Sequence, residues 1–141
     1  MAVDYQAKRW EHMASPWGLR YLKLLIPRKL AFVSCIVPLF LCDVCIADSY
    51  MNHFRLPALP RFLQLHQFLG PQYREDLRLV VLIYEKFLAA LRDDDFLAGS
   101  QSIQSKRDIQ PGSVFDDMHN CAIDLQRHLQ RIFFESGEDL L

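Results

Sequence analysis

The strongest candidate for a chemical site in the sequence is a pair of cysteines separated by two residues, Cys42 and Cys45. Together with His119 and Cys121 they would supply the four sulfur and nitrogen ligands that a tetrahedral zinc ion requires. Zinc ribbons, however, place such pairs in glycine-rich turns, whereas Cys42 and Cys45 lie within an apolar segment that predicts a helix. We therefore favour reduced, buried thiols that fill apolar space, and keep a zinc site as the alternative.

The remaining motifs predict no catalytic residue and no cofactor. A redox use of Cys42 and Cys45 would need a preceding strand and a helix that begins at the first cysteine, and the sequence predicts neither. The five histidines are scattered without a local signature, and no glycine-rich phosphate-binding loop occurs. We expect a protein that is not an enzyme.

The chain has a formal net charge of only −1, but its basic residues are concentrated in the first half. Residues 1–74 carry nine Lys and Arg against four acids, whereas residues 75–141 carry seven against thirteen. An alternative function is therefore nucleic-acid binding, in which Trp17 and Tyr21 would stack on bases. The basic residues that would contact phosphates are Arg20, Lys23, Arg28 and Lys29.

Apolar residues make up 51% of the chain, and they include ten Phe, five Tyr and two Trp. This is more apolar surface than one chain of this length is expected to bury, so we predict docking onto another protein chain or homo-oligomerisation. The leading prediction is an interaction module or regulatory subunit. The side chains predicted to contact the partner are Trp10, Trp17, Tyr21, Phe54 and Phe62.

The elements that must position these residues are predicted to be helices. Apolar residues recur at intervals of three and four over residues 72–93, and between Leu79 and Tyr84 every residue is apolar, which predicts a helix covered on all sides. Ser113 is expected to cap a last helix with Asp116 in its first turn. No run alternates as a strand would, so we predict an all-α, single-domain bundle of about five or six helices over residues 1–141.

The most apolar segment, residues 30–51, is predicted to be a fully buried core helix. Asp43 and Asp48 interrupt it, so a membrane association through residues 30–47 is only a third alternative. Pro27 is expected to stop the preceding helix, and Pro38 to kink or restart this one. Because the first residues do not resemble a signal peptide and the cysteines do not resemble a disulfide framework, we expect a cytoplasmic or nuclear protein.

The connections are predicted from helix-breaking residues. The prolines at 57 and 60 predict an extended or turn-like link before a helix over residues 61–69. Asp93 and the two acids after it are expected to end the preceding helix poorly, because acids oppose the helix dipole at a C-terminus. Residues 98–112 are polar and predict an exposed, flexible loop, and residues 137–141 predict a loose tail.

Overall fold

A computed structural model describes residues 17–41, 47–67 and 69–135 of the chain. Within these ranges lie seven α-helices: α1 (Trp17–Lys23), α2 (Lys29–Leu41), α3 (Ala47–Phe54), α4 (Ala58–Leu63), α5 (Arg74–Ala90), α6 (Asp94–Gln101) and α7 (Val114–Gln130). Shorter π and 3-10 turns extend or join them: Leu24–Arg28, Gln64–Gln67, Pro71–Tyr73, Lys106–Asp108 and Arg131–Glu135. A π turn joins α1 to α2, so the described residues form six continuous helical segments and no strand. This confirms the predicted all-α bundle.

The two prolines of the long first helix do not interrupt it. Pro27 lies in the π turn between α1 and α2, and the helix continues through it although proline supplies no N–H. The prediction that Pro27 stops the helix is therefore wrong. The helix does not restart at Pro38 either, because α2 continues past this buried proline to Leu41.

Only one side of α2 is buried, which corrects the prediction of a fully buried core helix. Leu30, Val33 and Val37 face the core, whereas Phe32 and Leu39 lie on the opposite side and are more than half exposed. This division follows from the helical period, since residues three and four apart share a face. The start of α2 also contacts α7, so Phe32 lies beside the end of that helix.

The core is centred on the packing of α5 against α7. Leu77, Val80, Ile83 and Phe87 form the buried stripe of α5, and the stripe of α7 includes Leu125. The Ser113 hydroxyl accepts a hydrogen bond from the Asp116 N–H, as predicted for the cap of α7. The prediction that residues 79–84 are covered on all sides is wrong, because Leu82 points away from α7 and is 40% exposed.

A buried polar cluster attaches α3 and α4 to α2. The His53 ring is buried, and its Nε2 donates a hydrogen bond to the Ser34 carbonyl at 2.9 Å. Arg61 Nε donates to the Ser34 hydroxyl at 2.8 Å, and its Nη1 donates to the Leu56 carbonyl. Helix α4 begins at Ala58, earlier than predicted, because a proline at position 60 falls in the first turn, where no N–H is needed.

Residues 93–109 differ from the sequence prediction. Asp93 does not end a helix but begins one: its carboxylate accepts from the N–H groups of Asp95 and Phe96, and acids are favourable at this end of a helix. Helix α6 then continues to Gln101, and Ile103 is buried, so the range 98–112 is not wholly an exposed loop. The predicted tail at 137–141 lies outside the described residues.

Ile103 fixes the following segment against α1 by a close backbone contact. The Gly18 N–H donates to the Ile103 carbonyl at 3.1 Å and so satisfies one of the free donors of the first turn of α1. A Cβ atom on Gly18 would lie 2.8 Å from Ile103 Cβ, a distance that only the absence of a side chain allows. This contact carries the 3-10 turn Lys106–Asp108 over the surface of α1.

Candidate functional site

An apolar groove lies between the start of α2 and the end of α7, with a volume of about 230 Å³. Its lining residues are Lys29, Phe32, Val33, Gln126, Leu129, Gln130, Phe133 and Phe134. Phe133 and Phe134 lie in the π turn that extends α7, one turn beyond the buried Leu129. Two consecutive helical residues cannot both face the core, so the second ring of this pair is left at the surface. We call this site the aromatic groove.

The rings of the aromatic groove touch one another and are still largely open to water. Phe32 and Phe133 have centroids 6.3 Å apart, and Phe133 meets Phe134 edge to face at 5.0 Å. Phe32 is 56% exposed and Phe134 is 61% exposed. Fully burying a Phe side chain is worth about 1.5–3 kcal/mol, so a contact that covered these two rings would be stabilised by the hydrophobic effect.

The polar part of the groove lining is basic or neutral. Lys29 is exposed at one wall, and no ion pair joins it to any described residue. The other polar lining residues are the amides Gln126 and Gln130. Glu135, the acid that follows Phe134, is already bound by Arg131, whose Nε lies 3.1 Å from its carboxylate. This hydrogen bond, together with the charge of Asp76, raises the pKa of Arg131.

A buried carboxylate holds the end of α7 against the start of α5. Asp76 accepts hydrogen bonds from Arg131 Nη1 at 2.9 Å and from His128 Nδ1 at 2.8 Å. The Arg131 guanidinium also lies 5.9 Å from the centroid of the Tyr73 ring. Sequence reasoning missed Asp76, although an acid one turn before Val80 on the buried stripe was a usable signal. The network fixes the part of α7 that leads into the aromatic groove.

The predicted partner-binding residues that the structure describes are not gathered in one place. Trp17 and Tyr21 stack on each other on α1, with centroids 4.9 Å apart. Phe54 is half-buried and meets the His53 ring edge to face, and Trp10 lies outside the described residues. Phe62 is completely buried, which corrects its assignment to a docking surface, because a core ring can reach no partner while the domain is folded.

Trp17 and Tyr21 belong to an aromatic cluster that is covered by its own neighbours. The His119 ring packs against Tyr21 at 5.5 Å, and Lys106 Nζ lies 5.4 Å from the centroid of the Tyr21 ring. Each of these side chains is at the surface but only partly exposed, except Lys106. We call this set, which comprises Trp17, Tyr21, Lys106 and His119, the covered stack. Sequence reasoning identified its rings but not their mutual contacts.

The proposed zinc ligands are not brought together within the described part of the chain. His119 contacts Tyr21, whereas Cys121 is half-buried and packs against the core. Their spacing of two residues places them on different sides of α7. Cys42 and Cys45 lie outside the described residues. Among the residues that the structure describes, no group of three or more His, Cys, Asp or Glu is placed to hold a metal ion.

The basic residues predicted for nucleic-acid binding all lie along the continuous helix formed by α1 and α2. Arg20, Lys23, Arg28 and Lys29 are each exposed, so folding buries none of their charges. Lys29 lies at the aromatic groove, whereas Arg20 lies on α1 beside Tyr21 of the covered stack.

In the described ranges, no helix combines the length and apolarity needed to cross a bilayer.

A larger, more polar cleft of about 510 Å³ lies between α6 and the start of α7. Its polar groups are mostly occupied by local caps: the Asp108 carboxylate accepts from the N–H groups of Gln104 and Ser105, and the Ser113 hydroxyl caps α7. Phe96 and Phe115 form its floor and are nearly buried. The polar groups of this cleft are therefore used mostly within the fold. A smaller share of its lining is apolar than in the aromatic groove.

In comparisons with known proteins, no family model, no curated protein and no solved structure matches the chain. Function is therefore inferred from the geometry and chemistry of its own surfaces.

Proposed function

We propose that this protein is a non-enzymatic interaction module, a regulatory subunit of a larger complex, that binds a helix of another protein in the aromatic groove. The observation that carries the proposal is the pair of rings, Phe32 and Phe134, that flank Phe133 across the groove while more than half of each remains exposed. Exposed apolar patches that are continuous in this way are typical of protein contact sites.

The dimensions and composition of the groove favour a partner side chain over a small ligand. A volume of about 230 Å³ is below the roughly 300–1,000 Å³ of small-molecule sites. The groove lies between two helices, and amphipathic helices bind such grooves through apolar anchors three and four residues apart. Lys29 is the single titratable side chain in the lining and is exposed, so the groove offers no buried acid or base for catalysis.

In-cell photo-crosslinking tests the proposal. A photoreactive phenylalanine replaces Phe134 in one variant of the full chain and Val114 in the control, because Val114 is equally exposed, at 63%, but lies at the other end of α7. We expect a discrete crosslinked protein from position 134 and none from position 114. Equal crosslinking from both positions would contradict a docking role for the groove.

The crosslinked protein is then purified and its affinity measured by titration calorimetry. The double variant Phe32→Ser, Phe134→Ser should weaken binding by about 10- to 100-fold, which corresponds to about 1.4–3 kcal/mol of lost apolar contact. Val114→Ser should leave the affinity unchanged. Far-ultraviolet circular dichroism of all variants checks that helicity is retained, and unchanged affinity in the double variant would refute the proposal.

A second candidate function is nucleic-acid binding by Arg20, Lys23, Arg28 and Lys29, supported by their common exposure on one continuous helix. Tyr21 is less available to stack on bases than the sequence predicted, since Trp17 and Lys106 contact its ring. Salt dependence separates the two candidates. Phosphate contacts lose affinity by several powers of ten between low and moderate salt, whereas apolar docking does not.

A further inference from the structure

We infer that the helix that binds the aromatic groove is acidic along the flank that meets Lys29, so the partner is an acidic amphipathic helix. This inference rests on the proposed function and adds the chemistry of the occupant. It starts from the groove lining, whose polar members are one lysine and the two amides Gln126 and Gln130, with no carboxylate among them. A bound helix would therefore meet positive charge and hydrogen-bonding groups at the rim, and apolar rings below.

Lys29 is available for such a pair. No described carboxylate lies within ion-pair distance of Lys29 or of the neighbouring Arg28, and both side chains are exposed. Glu135 is near the groove along the chain, but Arg131 binds it, and Asp76 binds Arg131 in turn. The cation at the groove thus has no acid from the described residues to neutralise it.

The same charges disfavour other occupants. A basic helix would place like charges beside Lys29, which costs affinity. A second copy of this chain, docked groove to groove about a two-fold axis, would present the same lining, which holds no carboxylate for Lys29, and the nearby Glu135 of each copy is already bound by Arg131. An acidic helix is the occupant that would form an ion pair with Lys29 at the rim as well as apolar contacts with the rings.

Three synthetic helical peptides with one identical Leu and Phe face provide the test, stapled so that helicity does not vary among them. Their flanking positions carry Glu, Gln or Lys, and their affinities for the full chain are measured by fluorescence anisotropy at low and moderate salt. We expect the Glu peptide to bind most tightly and the Lys peptide least, with about a two- to fivefold step per charge at low salt.

Charge reversal supplies the decisive comparison. Lys29→Glu should invert the order of the Glu and Lys peptides, and Lys29→Met should remove the preference while binding persists. If all three peptides bind equally to the unmodified chain and Phe134→Ser abolishes binding, the acidic partner is refuted and docking stands. If no peptide binds, or Phe134→Ser has no effect, docking itself is refuted.

Two further outcomes would overturn the inference by assigning the groove to another occupant. One is a dimer, detected by analytical ultracentrifugation, that Phe134→Ser dissociates. The other is binding to anionic lipid vesicles that Phe134→Ser abolishes, with no binding of the Glu peptide. A monomer that binds the Glu peptide and not the vesicles supports the acidic helix.

Discussion

Two aromatic surfaces lie between the continuous α1–α2 helix and α7, and they differ in how well their rings are covered. In the covered stack, Tyr21 is contacted by Trp17, by His119 and by Lys106. In the aromatic groove, Phe32 and Phe134 keep more than half of their surface exposed. Both regions are rich in aromatic side chains, so composition alone does not predict which aromatic rings the fold covers.

The difference has a structural cause. A segment of the chain passes over α1 at the covered stack, because the Gly18 N–H binds the Ile103 carbonyl and places Lys106 above Tyr21. No described segment passes over the aromatic groove in the same way. A surface aromatic residue therefore indicates a partner only where the chain does not itself provide the covering contact.

The largest effect is expected on the free energy of unfolding, when the loss of a buried ring is compared with the loss of an exposed one. Phe62→Ala should lower the free energy of unfolding by about 3–5 kcal/mol, because it leaves a cavity where the ring is completely buried. Phe134→Ala, at the aromatic groove, should change it by no more than about 0.5 kcal/mol. Urea denaturation of both variants provides the comparison, and similar losses would mean that the groove rings are part of the core.

The close contact that places a segment of the chain over the covered stack can be tested at Gly18. Gly18→Ala should destabilise the domain by about 1–3 kcal/mol, because the new methyl group would collide with Ile103. Gly99→Ala is the matched control: apart from the adjacent backbone of α6 itself, nothing lies within 4 Å of its Cβ position, so it should stabilise by about 0.5–1 kcal/mol. Thermal melts followed by circular dichroism measure both changes, and a neutral Gly18→Ala would show that this close approach is not needed.

The end of α7 that bears the groove should loosen when Asp76 is changed. Asp76→Asn removes the negative charge that binds Arg131 and His128 and should cost about 1 kcal/mol, a modest value because the guanidinium is half exposed. Hydrogen exchange should increase in residues 128–135 and not around Trp17. Faster exchange at both surfaces alike would mean that the two are not independent.

The smallest effect is expected at the exposed pair of Glu75 and Arg78, which lies on α5 and lines neither surface. Arg78 Nε donates to the Glu75 carboxylate at 2.9 Å and lowers the pKa of Glu75. Its small contribution to stability is present above the pKa of the unfolded chain and is lost as the pH falls through the lowered folded value. Glu75→Gln should therefore reduce the acid dependence of the melting temperature slightly and leave peptide binding to the groove unchanged.

Sequence patterns predicted the elements whose signals are local. The period of three and four in α5 and the Ser113 cap of α7 both depend on residues within one or two turns, and both are confirmed. Asp93 was assigned to the wrong end of a helix because acids after an apolar run suit either a poor C-terminus or a good N-cap. Only the following residues, which resume a helix, decide between the two.

The groove could be predicted only in part. Adjacent phenylalanines at 133 and 134 imply that one ring is exposed, but the contact with Phe32 joins residues about a hundred positions apart and depends on how α2 crosses α7. The burial of Phe62 likewise depends on tertiary packing, since an isolated aromatic residue suits a core as well as a surface. The prediction that Phe62 contacts a partner is wrong for this reason.

The π turn at Leu24–Arg28 sets how the two aromatic surfaces are oriented relative to each other. Leu22, Ile26 and Leu30 are all buried at steps of four residues, a spacing that would drift around a regular α-helix by about 40° per step. The wider π turn compensates for this rotation, so the continuous helix formed by α1 and α2 faces α7 at both aromatic surfaces. Removing a single residue there would swing Phe32 by about 100° around the rod axis while leaving Tyr21 in place, and the groove would lose one of its walls.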